Sequence, residues 1–86
     1  MERKYVLLYP KATEKTGRMV ESENKLTFVV SDKSTKAEIK REFEEKYKAR
    51  VIEVNVFRSM KGKKLAYIKL EEPGKASELA MRLKML

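Results

Sequence analysis

The sequence predicts a single α+β domain: an antiparallel sheet of three to four strands with two to three helices, in the order β-α-β-α-β-β-α. Three observations carry that prediction. The chain has 86 residues, room for one core and no second domain, so residues 1–86 are read as one unit. Apolar residues alternate with period two in several short runs and recur at i, i+3, i+4 in others. Short turns containing Pro, Gly, Asn or Ser separate those runs, with no internal repeat or low-complexity tract. Mean hydropathy is -0.61, yet Val, Ile, Leu and Phe recur regularly enough for collapse, so disorder is not expected.

Residues 4–9, Lys-Tyr-Val-Leu-Leu-Tyr, read as a short buried strand ended by Pro10, which has no amide to donate. Thr13 suits the cap of a helix running to about Glu23, with Glu14 in the first turn, where the macrodipole favours a carboxylate. That helix has few apolar residues, Met19 and Val20, and contains Gly17; Asn24 suits a turn after it. Residues 25–31 are strand formers, with Leu26, Phe28 and Val30 on one face and Lys25, Thr27 and Val29 on the other. Asp32-Lys33-Ser34 breaks the pattern. Thr35 and Glu38 then form a capping box, in which each side chain satisfies an orphan amide. Ile39, Phe43 and Tyr47 follow as one apolar stripe, and Lys40/Glu44, Arg41/Glu45 and Glu42/Lys46 are spaced to pair on the charged surface.

Two strands complete the sheet. From Val51 to Phe57, Ile52, Val54 and Val56 alternate with Glu53, Asn55 and Phe57. From Lys64 to Leu70, Ala66, Ile68 and Leu70 alternate with Leu65, Tyr67 and Lys69. Gly62 suits the tip of the hairpin between them. Glu71-Glu72-Pro73-Gly74 punctuates the chain before a last helix, about Lys75 to Lys84, with Ala76, Leu79, Ala80 and Leu83 on one stripe. Phe28, Ile39, Phe43, Val54 and Ile68 are the expected core.

Composition excludes most chemistry. Cysteine and histidine are absent, which removes disulfides, thiolates, imidazole bases and nearly every zinc site. Asp32 is the only aspartate, the glycines do not pair into a phosphate loop, and no spacing selects Asn24 or Asn55 as phosphate ligands. No catalytic residue, metal or cofactor is expected. The apolar run from Tyr5 to Tyr9 is too short for a secretory segment, and no stretch is long enough to span a membrane. A cytoplasmic location is the expectation.

Lys and Arg number 21 against 13 Asp and Glu, a net charge of +8, which attracts polyanions at range. Arg58, Lys61, Lys63, Lys64 and Lys69 fall in a stretch without a single acid. On a projecting hairpin such cations can follow a phosphate track; a solubilising loop or protected strand edge is the plainer reading. A second group, Arg3, Lys4, Lys11, Lys15 and Arg18, is diluted by Glu2 and Glu14, and Lys36 and Lys40 open the second helix. Phe57 and Tyr67 fall on the polar register of their strands, where they can stack on bases unless a helix covers that face. An RNA-recognition-motif-like module is the alternative: Ala66-Tyr67-Ile68-Lys69 is similar to half of its signature, but Lys63-Lys64-Leu65 lacks the aromatic and the last element reads as a helix.

Five segments in order resemble the large-subunit ribosomal protein twenty-three family in its short archaeal-type form. They are Tyr9-Pro10-Lys11-Ala12-Thr13-Glu14-Lys15, Asn24 through Val30, Thr35-Lys36-Ala37-Glu38-Ile39-Lys40, Val54-Asn55, and Gly62 through Leu70. The resemblance implies a structural constituent of the large subunit that binds large-subunit rRNA at the rim of the polypeptide exit tunnel. Implied partners are the neighbouring large-subunit ribosomal protein twenty-nine and the signal recognition particle or a nascent-chain chaperone, with no homo-oligomer. The expected rRNA-binding residues are Lys11, Lys15, Arg18, Lys36, Lys40, Arg58, Lys61, Lys63, Lys64, Tyr67 and Lys69, and the resemblance assigns Glu14 to factor docking. Residues 58–64 are all that joins the two strands where bacterial relatives carry a long hairpin, so a tunnel-lining role is not implied.

Overall fold

The seven elements form in the expected order in a computed structural model, whose described residues are 6–84. They are β1 (Leu7–Pro10), α1 (Glu14–Glu23), β2 (Lys25–Val30), α2 (Lys36–Tyr47), β3 (Val51–Arg58), β4 (Lys64–Leu70) and α3 (Lys75–Arg82). All strand pairs are antiparallel and the sheet order is β1-β2-β4-β3. The first part of the strand read at residues 4–9 lies outside the described residues.

Pro10 belongs to β1 rather than ending it. It pairs with Phe28 in register, and the next amide, Lys11 N, donates to Thr27 O at 2.9 Å. Amides alternate in direction along a strand, so the donor that proline lacks would point away from β2, which an edge strand tolerates. The expectation of a buried strand is corrected here: a register shift between Leu7 and Tyr9 leaves Leu8 and Tyr9 exposed. β3 carries a similar irregularity between Val51 and Glu53. Val51 takes the core position and Ile52, read on the apolar face, is turned out to solvent; the bulge breaks the simple alternation.

Threonine caps start both longer helices. Thr35 and Glu38 close the expected box, with Glu38 N donating to Thr35 Oγ1 at 3.2 Å and Thr35 N to Glu38 Oε1 at 2.9 Å. At α1 the reciprocal partner of Thr13 is Thr16, whose Oγ1 accepts from Thr13 N at 2.7 Å. Among the described residues, the three i,i+4 pairs expected on α2 do not close. Glu42 instead accepts Leu7 N and Glu44 accepts Val51 N, both at 2.9 Å. Each carboxylate satisfies a strand amide, a stronger use of its charge than a solvated surface pair.

Asn24 joins three elements. Its backbone is left-handed at φ 55, a conformation asparagine tolerates. Its Nδ2 donates to Leu70 O at 2.9 Å and Glu72 O at 2.8 Å, and its Oδ1 accepts Ala76 N at 2.9 Å. The side chain thus caps α3, which begins at Gly74 (φ 79) with no side-chain cap of its own. α3 ends at Arg82, a turn-fragment short of the expected Lys84, whose φ is 59.

The core lies on the face of the sheet carrying Leu26, Phe28, Val30, Ala66, Ile68 and Leu70, closed by Ile39 and Phe43 of α2 and by Ala76, Leu79 and Ala80 of α3. The Phe28 and Phe43 rings meet edge to face at 5.8 Å, and Tyr47 packs at 4.8 Å from Phe43. Four of the five expected core residues are buried, while Val54 is half-buried against the same cluster. No described helix is long and apolar enough to cross a membrane.

Candidate nucleic-acid interface

The hairpin between β3 and β4 is held to the body by its own basic residues. Arg58 Nη1 donates to Gly62 O at 2.7 Å and to Asp32 Oδ1 at 3.0 Å. Lys64 Nζ donates to Ser34 O at 2.6 Å and reaches Asp32 O at 3.4 Å. The stretch without acids in sequence is therefore not free of acids in space, because the 32–34 turn brings Asp32 to it. Arg58 and Lys64, two of the expected RNA-binding cations, spend their charge positioning the hairpin.

The tip is set by Ser59, Gly62 and Lys63. Ser59 N donates to Lys63 O at 2.8 Å and Gly62 N to Ser59 O at 2.9 Å. Gly62 takes φ 84, where a side chain would be strained. Met60 and Lys61 are exposed at the tip. Lys63 leans across to β1, donating to Tyr9 Oη at 2.7 Å with its ammonium 5.4 Å from the ring centroid. A shallow hollow of about 300 Å³ lies between hairpin and β1, lined by Leu8, Tyr9, Asp32, Lys61, Lys63 and Lys64 among others. Tyr9 and Asp32 are the members that sequence reasoning missed. Nothing local signals either one, because each meets its partner through the sheet.

Lys36 follows Ser34 and Thr35 at the start of α2, so the Lys64–Ser34 bond brings that helix end against the hairpin base. Lys36, Lys40 and Lys61 are exposed and hold no ion pair among the described residues. Lys61 and Lys63 share the hollow between hairpin and β1, while Lys36 and Lys40 lie on the first turns of α2. Lys11 and Lys15 are exposed beyond β1, Lys11 on the chain leading into α1 and Lys15 in its first turn. Arg18 is committed to Glu14, at 2.6 Å, with the two side chains 75% and 82% exposed; such a pair opens at little cost. Glu14 takes no part in the hydrogen-bonded cap, which Thr13 and Thr16 make alone.

Tyr67 and Lys69 lie apart from the tip, on the second face of the sheet. Cross-strand register sets three rows there: Tyr9–Val29–Leu65–Phe57, Thr27–Tyr67–Asn55, and Lys25–Lys69–Glu53. Val29, Leu65 and Thr27 are buried, Tyr67 and Lys69 half-buried, and Asn55, Phe57 and Glu53 exposed. The Phe57 and Tyr67 rings pack at 4.5 Å between centroids, tilted by 42°. Thr27 is 1% exposed and its Oγ1 has no hydrogen-bond partner.

The surface can therefore neutralise phosphates at the hairpin and α2 start, and it presents aromatic rings on a separate face. Among the described residues no group of Asp and Glu side chains could hold a metal ion. Compared with known protein families, the chain matches the family model of ribosomal protein L23 over residues 5–79.

Proposed function

The chain belongs to the ribosomal protein L23 family, and from that premise we propose where in the large ribosomal subunit it acts and through which side chains. The family is one of ribosomal structural components and not of enzymes, so its work is binding within a ribonucleoprotein. In our reading the protein lies on large-subunit rRNA at the rim of the polypeptide exit tunnel of the cytoplasmic ribosome, beside large-subunit protein twenty-nine. It contributes there to the platform on which the signal recognition particle or a nascent-chain chaperone docks.

The observation that carries the RNA contact is the braced hairpin. Because Arg58 and Lys64 fix it on Asp32, Ser34 and Gly62, the backbone that carries Lys61 and Lys63 is already set and Lys63 is held on Tyr9, with Lys36 and Lys40 adding charge on the first turns of α2. A preorganised cation loses little side-chain entropy on meeting a phosphate, and each phosphate neutralised releases counterions. Lys11 and Lys15 extend the basic surface past β1. Glu14, exposed on the first turn of α1, is the residue we assign to a basic surface of the docking factor.

Co-sedimentation with large subunits tests this reading. The expected outcome is a protein found with large subunits at low salt and released as salt rises. A protein that stays in the free pool at every salt concentration would overturn it and favour a free RNA-binding module.

A further inference from the structure

The aromatic pair on the second face of the sheet has no counterpart in the core's needs. Phe28, Phe43 and Tyr47 already form the buried aromatic cluster. Phe57 and Tyr67 instead lean together on the other face, both partly open to solvent. We infer that this face seats one unpaired nucleotide of the bound RNA, its base stacked on the Phe57–Tyr67 pair and its edge read by Asn55. The inference rests on the RNA-binding reading above and adds a base contact to the phosphate contacts of the hairpin.

Three features of the face fit that occupant. The rings, 4.5 Å apart and tilted by 42°, offer a joined aromatic surface of the kind on which exposed bases stack. Asn55 is paired with Tyr67 across β3 and β4, is exposed, and makes no side-chain hydrogen bond among the described residues. Its amide has two donors and one acceptor, which match the hydrogen-bonding edge of a base. One cation flanks the rings along β4: Lys69, two residues beyond Tyr67 on the same face, about 7 Å away at the rise of a strand, while Lys63 precedes the strand and its ammonium is held by Tyr9. Lys69 supplies a positive charge next to the rings for a phosphate of the seated nucleotide.

The chemistry of the rim favours RNA over a protein partner. A protein contact of this size would seek a continuous apolar patch, whereas Val29 and Leu65 in the row of Phe57 are buried, Tyr9 is engaged by Lys63, and the open border of the rings is Asn55, Glu53 and Lys69, on a chain of net charge +8. The nucleotide must be unpaired, because in an A-form duplex both faces of each base are already stacked.

The test compares a short single-stranded oligo(A) and oligo(U) with an RNA duplex of the same length, at one salt concentration. Binding of labelled RNA is measured to the wild-type chain and to Phe57→Leu, Tyr67→Leu and Asn55→Ala, with the melting temperature of each recorded. Both leucine variants are expected to lose about tenfold in affinity for the single strands and none for the duplex. Asn55→Ala is expected to level the affinities for oligo(A) and oligo(U). Single-strand affinity unchanged in both leucine variants would overturn the seat. So would an equal loss on single strand and duplex, which would mark the rings as supports of the sheet. A wild-type chain that binds neither form of RNA would overturn the RNA reading itself. Should Tyr67→Leu fail to fold, Phe57→Leu, at an exposed position of an edge strand, decides the matter.

Discussion

Along β4, Ala66, Ile68 and Leu70 are sealed in the core that α2 and α3 share, whereas Leu65, Tyr67 and Lys69, the alternate residues of the same strand, form a mixed surface. β2 sharpens the contrast, because it is buried on both sides: Leu26, Phe28 and Val30 meet the core, and Thr27 and Val29 are covered on the other face. The core face is uniformly apolar and holds the fold together. The second face combines buried aliphatics with half-open rings, an amide without a side-chain hydrogen bond and a half-buried lysine, so polar groups and aromatic surface remain open to solvent there. One sheet thus carries a sealed face and a partly open one, divided by side-chain parity.

The strongest way to break that separation is Phe43→Ala. Phe43 is fully buried and touches Phe28 and Tyr47, so its truncation should cost roughly 3–5 kcal/mol, near the whole stability of so small a domain. Tyr67→Leu should cost much less. Equal losses by thermal or urea unfolding would show that both faces hold the fold.

Next in size is the double neutralisation Lys61→Ala with Lys63→Ala. It should flatten the dependence of log affinity on log salt by about 1.5–2 units with the melting temperature nearly unchanged. Lys64→Ala should do the reverse, disturbing the hairpin more than the slope, because its ammonium holds Ser34 O. An unchanged slope in the double variant would move the phosphate contact elsewhere.

Thr27→Val is a smaller effect with the opposite sign. The Thr27 hydroxyl is buried with no partner, so replacing it with a methyl of similar shape should raise stability by about 1 kcal/mol. A destabilised variant in urea unfolding would mean that the hydroxyl is satisfied after all.

The smallest stability change is expected at Glu14→Lys, which removes an exposed pair with Arg18 worth a few tenths of a kcal/mol. Incorporation into large subunits should survive, while binding of the exit-site factor to those ribosomes weakens, most at low salt, as rim charges act on association rate. Equal factor binding across a salt series would leave Glu14 as a surface residue only.

Element order, both threonine caps and the Ile39–Phe43–Tyr47 stripe were legible in sequence because each is local: a cap spans three residues and a stripe one helix. Ile52 and Leu8 were misread because a bulge inverts parity without any mark in the pattern. The hairpin was legible as a cluster of cations, but its brace was not. Asp32 lies 26 residues from Arg58 and Tyr9 lies 54 from Lys63, and no periodicity links residues that meet across a sheet. Glu42 and Glu44 illustrate the same limit, since spacing suggested helix pairs while the strand amides of Leu7 and Val51 claimed both carboxylates.

Asn24 makes the order of synthesis matter to the fold. Its side-chain partners lie 46, 48 and 52 residues further along the chain. At translation rates of about 5–20 residues per second, roughly 3–10 seconds separate the making of Asn24 from the making of Ala76. Through that interval α1 can form, but its end has neither the β4 carbonyl to donate to nor the α3 amide to accept. The last helix made is therefore the latch for the first: a nascent chain halted before Gly74 can offer Asn24 the carbonyls of Leu70 and Glu72 but not the Ala76 amide that completes the set.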